Sequence, residues 1–355
     1  MKHHLNYEKE DDNYIMLGEI FKIIDSRKAE KIIGSFGVKN IRMFILCLKI
    51  MFTGMFFGLD INFIVEDLKN LEKLRKFFNI EEVPENSYIY NFFSKFSEEQ
   101  ILEITNRILN TEKTFERRNQ MIFVIDATPV DLDFNIKRKK KTKEYLKTLD
   151  LKWSYSTSKG YYIGFKATVV VEYTSAMPVA ILIHSGAPND TKLFDEILGE
   201  LKRRRIIRDN DIIIFDKGYY SYKNYLIGIS KYKIVPLIFP KDKFDINRLE
   251  RIIFYLLEIF SPKKSTKKLK PIYKKIKIKL LQLLEDWENY KPIRGKIEDF
   301  FKLCKEGVNL RKIHKYTPKS VKKTAILHVF LAGLITTLGY NEKTELQKLS
   351  ESRKK

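Results

Sequence analysis

Ile212-Ile213-Ile214-Phe215-Asp216-Lys217-Gly218-Tyr219-Tyr220-Ser221 decides how the rest of the chain is read. Four apolar residues in a row, mostly β-branched, give a strand buried on both faces, as in a parallel sheet. The run ends on a carboxylate. Lys217 and Gly218 break the strand, and Ser221 caps a following helix. Open α/β sheets hold their ligands at the carboxyl ends of such strands, which is where Asp216 falls. Strand ends also carry polar residues for turn chemistry alone, so Asp216 needs partners before it means anything.

Upstream, Met121-Ile122-Phe123-Val124-Ile125 is a second buried-strand run, and it too ends on a carboxylate, Asp126. Ala127-Thr128-Pro129 closes it, with Asp131 and Asp133 just beyond. A dense basic loop follows, Lys137-Arg138-Lys139-Lys140-Lys141-Thr142-Lys143. Such a run either repels itself into solvent or lies on phosphates. Beside a carboxylate-tipped strand, Lys139 and Lys140 are assigned to phosphates.

Downstream, Pro292 suits the first turn of a helix. Arg294, Glu298, Phe301/Lys302 and Lys305 then recur at helical spacing on one face, while Ile297, Phe300, Leu303 and Cys304 form the apolar stripe. An ordinary surface helix laced with ion pairs has the same appearance. The polar face nevertheless presents a cation, a carboxylate and another cation in a row.

The remaining elements follow from periodicity. Tyr14 to about Thr111 reads as helices almost throughout, with the long apolar helix Asn40–Phe57, an amphipathic stretch Asn62–Leu74, and a helix Glu98–Leu109 capped by Ser97 with Gln100 completing a capping box. Asn86–Phe96 reads either as a DNA-reading helix of the helix-turn-helix kind or as a plain bundle helix. Tyr161–Tyr173 and Pro178–His184 form a hairpin, and Asp190-Thr191 starts a helix. Strand Ile234–Phe239 closes the order β, β, β, α, β, α, β. Ile246–Phe260 is an apolar-rich helix, Lys263–Lys279 a lysine-dominated stretch, and Leu280–Trp287 a helix. Ser320–Gly339 is a last apolar helix, expected to pack on the sheet.

The chain's 355 residues carry 67 Lys and Arg against 45 Asp and Glu, a net charge of +22. A charge this basic and this clustered implies a polyanionic partner, nucleic acid being the commonest. Cys47 and Cys304 stand far apart, which excludes a disulfide framework and a structural zinc site and fits a reducing cytoplasm. The two apolar runs Met43–Gly58 and Thr324–Leu338 are shorter than a spanning helix needs, and no signal peptide opens the chain. The basic stretches lack the amphipathic pattern of a membrane-surface helix.

Two carboxylates on neighbouring strand ends and one on a helix can converge on a pair of divalent ions. Hard cations want oxygen ligands, and phosphate supplies those that protein does not. Two such ions clamp the attacking and leaving oxygens of an in-line displacement at phosphorus.

Taken together, the motifs resemble the DDE transposases of bacterial and archaeal insertion sequences, in the group whose third acid lies in a Tyr-Arg-Glu-Lys signature. Arg294, Glu298 and Lys305 keep the signature's last two spacings, and Tyr290 lies one residue further from Arg294 than the signature has it. The resemblance also covers Asp126 in Val124-Ile125-Asp126-Ala127-Thr128-Pro129-Val130, the strand Lys159–Lys166, Ala187-Pro188-Asn189-Asp190, and Asp216 in its Asp-Lys-Gly-Tyr-Tyr-Ser context. It implies a ribonuclease-H-like mixed sheet with flanking helices over residues 116–239 and 290–340. An all-helical N-terminal domain would precede it over 1–115, a helical basic insertion would occupy 240–289, and a polar tail 341–355. It implies that Asp126, Asp216 and Glu298 bind two Mg²⁺ or Mn²⁺ ions and are the catalytic acids. It implies that Arg294, Lys305 and Tyr290 touch DNA near the cut, and that the protein works as a homodimer on DNA. Asp190 is read as structural, at a helix start. The expected activity is metal-dependent cleavage at transposon ends and strand transfer into target DNA. A nuclease of the same fold without strand transfer, and a DNA-binding relative that has lost catalysis, are the alternatives.

Overall fold

A computed structural model describes residues 5, 11–112, 118–132, 152–156, 160–259, 270–310, 313 and 317–340. The chain divides into two compact units, one of Met1–Thr114, Val130–Phe165 and Asp299–Lys355, the other of Phe115–Pro129 and Lys166–Glu298.

The first unit opens with seven helices: α1 (Asp12–Ile24), α2 (Arg27–Ser35), α3 (Ile41–Phe57), α4 (Ile61–Asn70), α5 (Glu72–Phe78), α6 (Asn86–Ser94) and α7 (Glu98–Thr111). Their starts are written in the sequence. Asp11, Ser26, Asn40, Asp60 and Ser97 each cap a helix through a side-chain oxygen, and Ser97 with Gln100 forms the expected capping box. The expected single stretch Asn62–Leu74 is two helices, because the chain turns at Leu71, which is exposed. Helix α3 is buried along most of its length, as its composition required. Among the described residues no single helix is long and apolar enough to cross a membrane. The pair α3 and α4 passes on length and composition only together, and it is bent by 110°. The last helix, α13 (Pro318–Thr337), packs on α7 and α3, with Phe330 edge-on to Phe52, where the sequence suggested the sheet.

A mixed six-stranded sheet runs in the order β2 (Lys152–Ser156), β3 (Gly160–Glu172), β1 (Ile122–Asp131), β5 (Ile212–Phe215), β6 (Val235–Ile238), with β4 (Pro178–Ser185) also paired to β3. Strand β1 does not close at Ala127–Pro129 but continues to Asp131. Strand β2 is an addition to the expected order, antiparallel to β3. One side of the sheet is parallel: β1, β5 and β6 pair in register from Ile122, Ile212 and Val235 to Ile125, Phe215 and Ile238. Every residue of β5 and β6 is buried, as a strand covered on both faces must be.

Helices of the second unit flank this half: α8 (Asp190–Arg203), α9 (Tyr222–Ser230), α10 (Ile246–Ile259) and α11 (Lys270–Glu285). Helix α8 packs Phe194 on Phe215, and α11 lies against β6 and α10. The lysine-dominated stretch is helical from Lys270, earlier than the sequence suggested, and Tyr273, Ile276 and Leu280 face inward. Residues 263–269 of that stretch, the loop carrying Lys139 and Lys140, and the tail 341–355 lie outside the described residues.

Candidate active site

The second unit brings together four residues from three stretches that lie far apart in the sequence. Asp126 stands on β1 one residue past the buried core run, and Asp216 stands one residue past the end of β5. Because β1 and β5 are parallel with Ile125 opposite Phe215, the two aspartates come next, side by side. Arg294 and Glu298 come from α12 (Lys291–Lys302), one turn apart on the same face.

Arg294 is the centre of the cluster. Its Nη1 lies 3.0 Å from Asp216 Oδ1, its Nη2 3.5 Å from Asp126 Oδ2, and its Nε 3.3 Å from Glu298 Oε1. Nη2 donates a hydrogen bond to Asp126. Nε is close enough to Glu298 for an ion pair but is not aligned to donate to it, and it is buried without a hydrogen-bond partner. One planar cation therefore touches all three carboxylates that the sequence singled out. Glu298 faces the other two and is itself more than half exposed.

The electrostatics follow from burial. The Asp126 carboxyl is pushed up to about 6, because desolvation penalises its charge. The negative charges of Asp216 and Asp190 add to that push, while the Ala127 amide and Arg294 oppose it. The Ala127 N–H donates to Asp126 Oδ1 at 2.8 Å. Three hard oxygen donors around one positive centre form a donor set suited to a divalent cation. Among the described residues no three histidine, cysteine, aspartate or glutamate side chains already converge as ligands on a common point. The guanidinium stands between the acids, in contact with each of them.

Two features were not legible as site residues. Asp190 stands at the start of α8 as expected, in its first turn behind the Asn189 cap. Its Oδ1 takes the Lys166 ammonium at 2.5 Å, and Lys166 also donates to the Pro188 carbonyl. Gly218 makes room for this carboxylate, since a Cβ there would stand 2.8 Å from Asp190 Oδ2. Beneath the acids the Tyr219 hydroxyl is fully buried with no hydrogen-bond partner. The facing Thr168 hydroxyl is likewise unaligned. Burial first, and then the charges of Asp190, Asp126 and Asp216, raise the Tyr219 phenol well above its ordinary value. The spacing of Lys166 and Asp190, a strand and a helix start apart, carries no local signal for either contact.

Tyr290 and Lys305 belong to the turns that precede and follow α12. Tyr290 is half-exposed in the short 3₁₀ turn Trp287–Tyr290 that leads into α12. Lys305 sits in the π turn Leu303–Gly307, in the first unit. The wider π register interrupts the single polar face expected from Arg294 to Lys305. Phe301, expected on that polar face, is buried, while Ile297, Phe300, Leu303 and Cys304 are buried as expected.

No match is found among the curated proteins. The chain is similar to the transposase in the cryo-EM structure of the piggyBac transposase synaptic complex with hairpin DNA, at 10% identity and a TM-score of 0.44, over 96% of this chain and 80% of that one. The family described as Transposase DDE domain matches residues 117–334, more than half of the sequence and the whole stretch that carries Asp126, Asp216 and Glu298, and the chain belongs to that family.

Proposed function

We propose that the protein is a DNA transposase that cleaves phosphodiester bonds at transposon ends and joins the freed ends to target DNA. The observation that carries this reading is the contact of one guanidinium with three carboxylates drawn from β1, the end of β5 and α12. On this reading Asp126, Asp216 and Glu298 are the catalytic acids and hold two Mg²⁺ or Mn²⁺ ions. Such ions activate water and stabilise the charge that develops on phosphorus-bound oxygens.

The chain's own residues do the rest. Asp126, largely buried in the middle of β1, is a fixed donor that the Ala127 amide orients. Asp216 sits beside it just past the end of the parallel strand β5, whose pairing with β1 sets the spacing between the two. Glu298, exposed on α12, is the donor free to adjust as DNA enters. Arg294, displaced from the acids, turns its fork of donors to a phosphate, which suits it better than a lysine. Tyr290 and Lys305 contact DNA near the cut, and Lys139 and Lys140 hold backbone further along. The core is ribonuclease-H-like over 116–239 and 290–340, the all-helical region 1–115 binds DNA, 240–289 is an insertion, and the active form is a homodimer on DNA.

The test is an assay on duplexes carrying the element's own ends, with Mg²⁺ present. Asp216→Asn abolishes nicking and joining and leaves binding to end DNA unchanged. Metal-dependent joining retained by that variant removes Asp216 from the site. Nicking without joining by the wild-type protein reduces the function to that of a nuclease.

A further inference from the structure

The second unit carries a basic groove at the end of the sheet opposite the acids. It has a volume of about 480 Å³ and is lined by Lys274, Lys275, Ile278, Lys279 and Gln282 of α11, together with Gln120 and Asn210 just before β1 and β5 and Val235 at the start of β6. The α11 residues recur at i, i+1, i+4, i+5 and i+8, one outward face of the helix. The opposite face is the one that packs, through Tyr273, Ile276, Leu280, Leu283 and Leu284.

The pairing of charges on α11 separates the two faces. Lys277, on the packed side, is neutralised by Glu250 of α10 at 2.9 Å. Among the described residues no carboxylate pairs with Lys274, Lys275 or Lys279, and the other polar groups that line the groove, Gln120, Asn210 and Gln282, are uncharged. In the middle of the lysines Ile278 is 48% exposed. A face that gathers unneutralised cations around one exposed apolar side chain is shaped for a polyanion with an apolar edge, such as a sugar–phosphate backbone. Lysine, a point charge without a planar fork, holds phosphate without reading sequence.

Position fixes which phosphates these can be. Ile122 and Ile212 start their strands, and Asp126 and Asp216 follow four residues later. At a rise of ~3.3 Å per residue the groove and the acids are separated by about 13 Å of sheet. One phosphate cannot touch both.

We propose that the α11 groove is a second, sequence-independent binding site for duplex DNA, engaging backbone away from the phosphate that the acids would cut. This rests on the reading that the protein acts on DNA, and adds to it a contact surface that the acid cluster does not require.

The experiment measures binding of a labelled duplex of arbitrary sequence across a salt series, with EDTA present so that no cleavage contributes. The variant Lys274→Gln/Lys275→Gln/Lys279→Gln is compared with Lys277→Gln, and thermal melts confirm that both fold. Removing three phosphate contacts flattens the plot of log affinity against log salt by about 2–3. Affinity at low salt falls at least about tenfold, and Lys277→Gln leaves the slope as it is. An unchanged slope in the triple variant overturns the proposal. So does a triple variant that loses binding to anionic lipid vesicles or polyglutamate while its DNA binding stays intact. Failure of nicking by the wild-type protein, with the slope change present, overturns the proposed chemistry and leaves the groove standing.

Discussion

Arg294 Nη1 stands 3.0 Å from Asp216 Oδ1, and the same guanidinium reaches Asp126 and Glu298. The cation that holds the three acids together is thus part of the chain. It satisfies charges that would otherwise repel one another at close range, and under the proposed function a divalent ion would compete with it. The arrangement is an ion-pair network about one-third exposed at its centre, so its contribution to stability is damped by solvent.

Competition of this kind has a direct consequence. Arg294→Gln removes the internal cation and leaves the carboxylates in need of another. Mn²⁺ binding to the variant, measured by the free-ion EPR signal, tightens on the order of tenfold, an energy of about 1.4 kcal/mol. The thermal stability of the variant also gains more from added Mn²⁺ than the wild type does, since a ligand stabilises in proportion to its affinity. Equal Mn²⁺ affinity in the two proteins would place the metal away from Arg294.

Asp126 gives a second expectation, with a defined sign. Its folded-state pKa, about 6, lies above the ordinary carboxylate value of 3.8. The folded protein therefore binds the proton more tightly than the unfolded chain. The cost of the buried charge is fully present above pH 6 and disappears as pH falls through 6 towards 4. A displacement of about two units corresponds to about 2–3 kcal/mol. Asp126→Asn, which removes the charge and keeps the shape, raises stability at pH 8 in the absence of metal by an amount of that order. The gain over wild type shrinks to near zero at pH 4. Urea denaturation at the two pH values measures it, and a loss of stability at pH 8 would show that Arg294 outweighs desolvation.

Which parts of this were legible in the sequence depends on range. The runs Ile212–Phe215 and Met121–Ile125 announce buried strands because a parallel strand covered on both faces needs no alternation. The carboxylates at their ends then fall together through register alone. The Ser97–Gln100 capping box was legible because capping is local. Strand β2 was not, because its pattern is inverted: Trp153 and Tyr155 are exposed while Ser154 is buried. The break at Leu71 carries no glycine or proline to mark it. The first turns of α11 hid behind lysines, although Tyr273, Ile276 and Leu280 keep helical spacing. The ion pairs of Arg294 were not legible, because its partners Asp126 and Asp216 lie 168 and 78 residues away, and no local rule reports an ion pair across that span.

Gly164 is the tightest backbone approach in the first unit's strands. A Cβ at this position would stand 2.0 Å from the Val130 carbonyl oxygen and 3.1 Å from its carbon. That neighbour is backbone and cannot rotate away. Gly164→Ala must therefore part β3 from β1 locally, and the Leu132 N–H to Ile163 carbonyl bond at 3.0 Å is the next one along. The expected cost is about 3 kcal/mol or more, at the upper end for a single substitution. A thermal melt reads it, and a variant with wild-type stability would show that β3 and β1 are further apart at this point.

His328 supplies the last expectation. It lies fully buried on α13, its Nδ1–H donating to the Thr324 carbonyl at 2.7 Å, and desolvation lowers its pKa from 6.5 to about 4. The folded state thus holds the imidazole neutral while the unfolded chain begins to take up a proton near pH 6.5. Stability from this group is complete above 6.5, falls as pH drops from 6.5 to about 4, and changes no further below that, where both states are charged. The total is about 3 kcal/mol, from a displacement of about 2.5 units. His328→Leu abolishes the proton uptake. Although it gives up the bond to Thr324, its stability declines less steeply than wild type between pH 6.5 and 4. Denaturation at a series of pH values tests this, and parallel curves for the two proteins would mean that the ring is already protonated in the fold or reaches solvent through the cavity that it lines with Lys323 and Tyr90.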